Sequence, residues 1–376
     1  MPRLRLNWIL IPLISCGFVI LAGIDLYHLI HADLKRGNYL HVIPELWNRV
    51  TGKTIVYLVP YEGAPSGDKV IKGSYNRYTI DDRNFWVKLK DGLAEKGIAL
   101  HCSNLYRTPL DASLILCHGI RPHPRVFRHT MRFPKERKIL AVWEPAVYEP
   151  QSYVPDYHKS FSKVLTWRDD LVDNKTYFKF NLSHCLRPIL DEKPFETKKL
   201  LTLVASNKSS SHPEEAYTER RRAIEFYESR WSDDFVFYGP GWEYCGYHTW
   251  GGYIKDKIAT LQNFRFCLAY ENQLNQPGWV TEKMLDCLIA RCVPVYLGAP
   301  NVEEYVPKEC FINRYDFESD EELHAFLKSI TKEQYEGYQR AIDAYIHSDA
   351  IQIFSEERIA AQFVDEIVAA LEKLKA

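Results

Sequence analysis

Glu271, Asn272, Glu282 and Lys283 stand close together in a stretch whose flanks are apolar, FRFCLAYENQLNQPGWVTEKMLDCLIARCVPVYLGAP over residues 264–300. A carboxylate and an amide that follow an apolar run, then a carboxylate and an ammonium in the first turn of a helix, are groups that could hold an anion. A helix N-terminus presents unpaired N–H groups and the positive end of the dipole. A lysine at that end opposes the dipole, and an anionic ligand removes the conflict. Capping and solvation explain any one of these residues alone; four at one sheet edge favour a site.

The elements that must position them are legible. Phe264–Tyr270 is apolar and aromatic and predicts a buried strand. Gln273 to Gly278 is a loop, marked by Asn275, Pro277 and Gly278. Thr281 is an N-cap for a helix to about Arg291, with Met284, Leu285, Leu288 and Ile289 at helical spacing. Val293–Leu297 is a second strand, closed by Gly298. A strand–loop–helix–strand unit implies a parallel sheet, with ligands beyond the carboxyl ends of its strands.

Metal-site patterns are weak. Asp81-Asp82, Asp169-Asp170 and Asp233-Asp234 are adjacent pairs whose side chains diverge on an extended chain, so they read as turn and cap residues. No C-x-x-C pair occurs among the nine cysteines. Cys117, Cys267, Cys287 and Cys292 sit in apolar runs and read as packing thiols, whereas Cys102, Cys185, Cys245 and Cys310 could pair in a lumen. Sequons occur at Asn174, Asn181 and Asn207.

The remaining chain alternates strand and helix. In the first half, strands are expected at 53–59, 98–101, 113–118, 138–143 and 161–167, with a helix over 84–97. The basic run from Arg121 to Arg137 reads as a solvated loop and helix. The charged, proline-bearing segment 187–199 reads as a linker. In the second half, strands are expected at 200–205, 235–238 and 311–313. Helices are expected after Thr218, with Arg220, Arg221 and Arg222 in the first turns, over 253–261, and in three segments at the end. In the last of these, Ile359, Phe363, Ile367 and Leu371 recur at four-residue steps and require a partner surface. The domains expected are 1–30 (cytosolic tip and anchor), 31–52 (stem), 53–190 and 191–350 (two Rossmann-like domains), and 351–376 (a helix packing back on the first).

Net charge is −1 over 376 residues, which argues against a nucleic acid or other polyanionic partner. Residues 8–24 are uncharged and follow Arg3 and Arg5. That run is near the lower limit of about 20 residues for a bilayer span, and its charge flank predicts a type II signal-anchor.

The ordered run E-N-x5-G-W-V-T-E-K-M-L-D, then V-P-V-Y-L-G and P-K-E-C-F-I-N, resembles the C-terminal signature of the family 10 alpha-1,3/1,4-fucosyltransferases. The resemblance extends more weakly over about residues 140–350. It implies a GT-B-like α/β fold with two Rossmann-like domains facing a cleft. It also implies inverting transfer of L-fucose from GDP-fucose to O3 of an N-acetylglucosamine-bearing glycan; with the Asp pairs read as turn and cap residues, Lys and Arg are expected to do the charge work and no cofactor or metal is expected. Glu144, in VWEPAVYEP after the 138–143 strand, falls where the family has its catalytic carboxylate; Glu149 is the rival. Lys283 and Arg221 are the expected diphosphate cations, with Arg220 and Arg222 leaving the register open. Ser206, Asn207 and Lys208 are expected to meet donor phosphate or ribose, and Asn272 and Glu282 the fucose side. Trp279 stands where relatives often carry tyrosine and is expected to stack on sugar or base. Golgi residence follows in a eukaryotic host. The alternatives are a GT-B transferase with another nucleotide sugar, and an inactive glycan-binding protein.

Overall fold

The computed structural model describes residues 48, 51–60, 71, 83–102, 111–120, 124–186 and 193–375. The 8–24 anchor, nearly all of the stem, most of the 60–79 loop, Asp81-Asp82, residues 121–123 and residues 187–192 lie outside the described residues. Among the described residues, no helix is long and apolar enough to cross a membrane.

Two parallel sheets carry the chain. The first is six-stranded, in the order β2-β1-β3-β4-β5-β6. Its strands are β1 (Ile55–Val59), β2 (Ala99–Cys102), β3 (Leu114–His118), β4 (Lys138–Val142), β5 (Lys163–Thr166) and β6 (Tyr177–Lys179). The second is five-stranded, in the order β11-β10-β9-β7-β8. It comprises β7 (Lys199–Val204), β8 (Phe235–Tyr238), β9 (Phe264–Tyr270), β10 (Val293–Leu297) and β11 (Ile312–Asn313). Strands buried on both faces read as continuous apolar runs, which is why β3, β4, β9 and β10 were visible in the sequence. The edge strand β6 was not expected, because three half-buried residues give no periodic signal.

Helices cover the sheets: α1 (Arg83–Glu95), α2 (Pro124–Met131), α3 (Tyr217–Arg230), α4 (Lys257–Leu261), α5 (Glu282–Ile289), α6 (Asp320–Ser329), α7 (Lys332–Ile346) and α8 (Glu356–Lys373). Helix α4 begins later than expected, because Asp256 caps it by accepting from the Ala259 N–H. In the basic 121–137 run, Arg137 is structural, donating to the Ser113 and Ala112 carbonyls.

Helix α8 belongs spatially to the first sheet. Ser355 caps it, accepting from Arg358 N–H. Its buried stripe of Ile359, Phe363, Ile367 and Leu371 joins the core that holds Phe85 and Leu89 of α1, and Phe363 meets Phe85 edge-on at 5.2 Å. Each such buried side chain contributes about 1.5–3 kcal/mol. The chain therefore crosses between the sheets twice, and the crossings lie side by side: His184 N–H donates to Phe354 O at 2.7 Å, and Asn181 Nδ2 to Ile353 O at 3.2 Å.

Candidate functional site

The second sheet has its switch point between β7 and β9. From β7 the chain proceeds outward to β8, whereas β9 leads the other way to β10. Ligands of open α/β sheets bind outside the carboxyl ends of the strands at that point. Ser206 and Asn207 follow β7 there, and Glu271 and Asn272 follow β9.

Glu271 is fully buried. Its Oε1 accepts from Thr281 N–H at 3.0 Å and its Oε2 from the Thr281 hydroxyl at 2.9 Å. Lys283 Nζ lies 3.3 Å from Glu271, 3.0 Å from Glu282 and 3.1 Å from Thr281 Oγ1. Thr281 is the N-cap of α5, and its hydroxyl accepts from Lys283 N–H. Burial works against the Lys283 charge, but Glu271 and Glu282 outweigh it and hold the ammonium above its ordinary pKa. Burial pushes the Glu271 carboxyl up. In Glu282, burial is outweighed by Lys283 and Lys257, so its carboxyl stays well below the usual range. The conflict of a cation in the first turn is thus met from within the protein, by two carboxylates.

The three arginines of α3 separate. Arg220 is buried; its Nη2 donates to Tyr270 O at 2.7 Å, and its buried Nε has no partner among the described residues. Glu271 and Glu282 act on its charge. Arg221 instead donates to Asn207 Oδ1 at 2.8 Å and lies over the Trp242 ring, and Arg222 pairs with Glu219. Successive residues turn by about 100° on a helix, so one arginine of three reaches the Lys283 cluster. The expected diphosphate cation Arg221 sits one contact away, against Asn207; Arg220 is the one beside Lys283.

Trp279 lies at the seam between the domains. It is 3% exposed, its ring packs on Trp167 of the first domain at 4.5 Å, and its Nε1 donates to Asn272 Oδ1 at 3.0 Å. Buried against Trp167 and bonded to Asn272, it is placed to orient Asn272.

In the first domain, Glu144 and Glu149 part company. Glu149 is 2% exposed, accepts from Ser152 Oγ at 2.7 Å and is folded over Gly119, where any Cβ would collide with its carboxylate. Glu144 follows β4 and is half-buried. Its segment docks on the second domain: Val147 N–H donates to Gln273 Oε1 at 2.9 Å, and the Tyr148 ring lies 4.8 Å from Lys208 Nζ. The carboxyl ends of the two sheets therefore face each other, and Glu144 is carried to the Lys283 side.

No group of three or more His, Cys, Asp or Glu side chains suited to a metal occurs among the described residues. The eight cysteines at 102, 117, 185, 245, 267, 287, 292 and 310 are free thiols, including the four considered for pairing.

A family model described as glycosyltransferase family 10 (fucosyltransferase), C-terminal part, matches residues 239–363. That stretch carries the C-terminal pattern of glycosyltransferase family 10. Mouse 4-galactosyl-N-acetylglucosaminide 3-alpha-L-fucosyltransferase 9 is 32% identical over 206 residues, 54% of this chain and 51% of the relative. Mouse alpha-(1,3)-fucosyltransferase 7 is 39% identical over 84 residues, 22% of this chain and 21% of the relative. The chain thus matches about half the length of the former. A crystal structure of an alpha1,3-fucosyltransferase covers 85% of this chain and 90% of its own at 17% identity, with a TM-score of 0.52. A Rickettsia africae glycosyltransferase structure covers 85% and 99% at 9% identity, with a TM-score of 0.51. At such identities the likeness is one of fold, and it is the two-sheet GT-B arrangement.

In the second domain, the sequence reading missed Tyr217. It opens α3, is 6% exposed, and has Arg220 over its ring at 5.4 Å. Burial pushes its phenol up; Arg220, Asn272 and Lys283 pull the other way, and Glu144 adds to the rise. Tyr217 thus feels Glu144 from one domain and Lys283 from the other. No sequence signal marks it, because an aromatic residue at a helix start reads as packing.

Proposed function

We propose that the protein transfers L-fucose from GDP-fucose to O3 of an N-acetylglucosamine-bearing glycan, with inversion. One observation carries the reading: the Glu144 segment of the first domain is docked on Gln273 and Lys208 of the second, opposite the cationic start of α5. That is the geometry a single displacement needs, with a base on one side and a cradle for a leaving diphosphate on the other. Glu144 takes the proton of the acceptor hydroxyl, whose oxygen attacks the anomeric carbon. The bond to GDP breaks, and its electron pair leaves on the diphosphate. Lys283 and Arg220 meet that charge, the latter through the unpartnered Nε. Glu282, kept ionised, faces the sugar and steadies positive charge developing there. Asn272, Ser206, Asn207 and Lys208 complete the donor side, and Arg221 holds Asn207 in place. The burial of Glu149 supports Glu144 as the base. With cations supplying the charge, metal is not required. The printed name of the mouse relative supports the acceptor and the linkage. The uncharged run 8–24 supports type II anchoring, in the Golgi membrane of a eukaryotic host.

A thermal-shift screen of GDP-fucose against UDP- and ADP-sugars, followed by transfer to a glycan array, tests the reading. GDP-fucose is expected to stabilise selectively and label N-acetylglucosamine-bearing glycans in excess EDTA. Stabilisation by a different nucleotide sugar alone rejects the donor, and activity lost to EDTA and restored by manganese rejects the metal-free step.

A further inference from the structure

Asp169 reads in the sequence as a turn residue. It does open a single 3-10 turn after β5, but its carboxylate is the hub of a network that joins the two domains. Asp169 Oδ1 lies 2.6 Å from Lys179 Nζ of β6. Both carboxylate oxygens are 2.7 Å from the Tyr305 hydroxyl, and Oδ2 accepts from Asn301 Nδ2 at 2.9 Å. Tyr305 and Asn301 belong to the second domain, beyond β10. Lys179 Nζ closes the network on Trp167 O at 2.6 Å and on the Tyr305 hydroxyl at 2.7 Å. Burial costs the Asp169 charge, but the bonds from Lys179, Tyr305 and Asn301 outweigh it and keep the carboxyl below its ordinary pKa.

The network grips one particular segment. Asp169 N–H donates to Pro277 O at 3.2 Å, and Asn301 Oδ1 accepts from Gly278 N–H at 2.9 Å. Gly278 has φ +84, and a Cβ there would collide with Trp167 O and lie 2.8 Å from both Asp169 Oδ2 and Lys179 Nζ. The next residue is Trp279, packed on Trp167 and bonded to Asn272. Thr281, Glu282 and Lys283 follow. The loop that sets the start of α5 is thus fixed at its Pro277–Trp279 end by the opposite domain.

We propose that Asp169 is a positioning residue for the donor site: through Pro277, Gly278 and Asn301 it fixes the loop that places Asn272, Glu282 and Lys283. Donor affinity is then a property of the docked pair of domains, not of the family 10 segment alone. A half-buried network whose members bond one another is rigid, and removing its hub takes one partner from Lys179, Asn301 and Tyr305 together.

This inference rests on the donor reading above for its kinetic consequence but not for its structural one, so the experiment separates them. Asp169→Ala, Tyr305→Phe and Asp169→Asn are compared with wild type in the full chain. Hydrogen exchange of amides 273–283 needs no donor, and faster exchange there in Asp169→Ala, with α7 unchanged, is expected. With GDP-fucose, or whichever nucleotide sugar the wild type binds, the donor KM is expected to rise about tenfold or more in Asp169→Ala, an effect of about 1.4 kcal/mol. The acceptor KM and kcat should stay within about threefold, Tyr305→Phe should fall between, and Asp169→Asn should recover part of the loss, as one or two lost hydrogen bonds predict. Unchanged exchange at 273–283, or a lowered Tm with an unchanged donor KM, overturns the proposal. If Asp169→Ala fails to fold, the same two readouts on Tyr305→Phe decide. A wild type that binds no GDP-fucose rejects the donor assignment and leaves the exchange result to judge Asp169.

Discussion

The two facing poles of this molecule are built differently. On the second domain, Glu271, Thr281 and Arg220 are buried, Lys283 is partly buried against Glu271 and Thr281, and all four are anchored on a sheet and two helices. On the first, Glu144 is half-buried on a segment after β4, and it reaches the site because that segment docks on the other domain. On the proposed reading, the groups that would receive a diphosphate, the same in every turnover, are locked in place. The proposed base, which would admit water and acceptor in turn, is the more open of the two.

The largest expected effect breaks that contrast directly. Glu144→Gln should lower kcat about 10²- to 10⁴-fold, the range of a lost general base, while calorimetric GDP-fucose affinity stays near wild type. Glu149→Gln should instead cost stability with kcat nearly kept. The opposite pattern would move the base to Glu149.

Lys283→Met removes a cation from a buried cluster and leaves Glu271 without its charged partner. Urea unfolding should show a loss of about 3–5 kcal/mol, and donor affinity should fall with it. A fully stable variant with normal affinity would mean that the second pole is less tightly built than its distances indicate.

Gly278→Ala probes the seam between the poles. Its positive φ and its contacts with Trp167 and Lys179 predict a loss of about 1–3 kcal/mol. Denaturant midpoints check this.

The smallest effect is a pH dependence at the paired crossings. Glu356 is buried at the start of α8, with Lys88 3.6 Å away on α1, Glu357 beside it and His184 on the other crossing. Burial pushes its carboxyl from 4.5 up to about 7, against the pull of Lys88. A carboxyl with a raised folded pKa gives its stability in full below about 4.5 and loses it as pH rises through about 7. Wild type should therefore lose unfolding free energy relative to Glu356→Gln between pH 5 and pH 8, by about 1–3 kcal/mol in urea titrations. A constant difference across that range would refute it.

The legible parts were local. Lys283 and Glu282 could be read because an N-cap threonine, a turn of polar residues and an apolar helix stripe are neighbours in sequence. Strands β9 and β10 could be read because central strands are uniformly apolar. Arg220 could not be told from Arg221, because the choice depends on which direction of α3 faces Tyr270. The burial of Trp279 could not be read because nothing nearby announces Trp167. Asp169 passed as a turn residue because its partners Asn301 and Tyr305 lie 132 and 136 positions away.

By itself, then, the sequence determined the strand–loop–helix–strand unit and the capped start of α5, since hydrogen-bonded periodicity and helix capping act between residues a few positions apart. Only the tertiary structure decided which arginine lies beside that unit, which of Glu144 and Glu149 is buried, and that Asp169 bonds across the domains. Those choices are made by packing between domains, in contacts such as Val147 to Gln273 that span 126 positions and leave no local pattern.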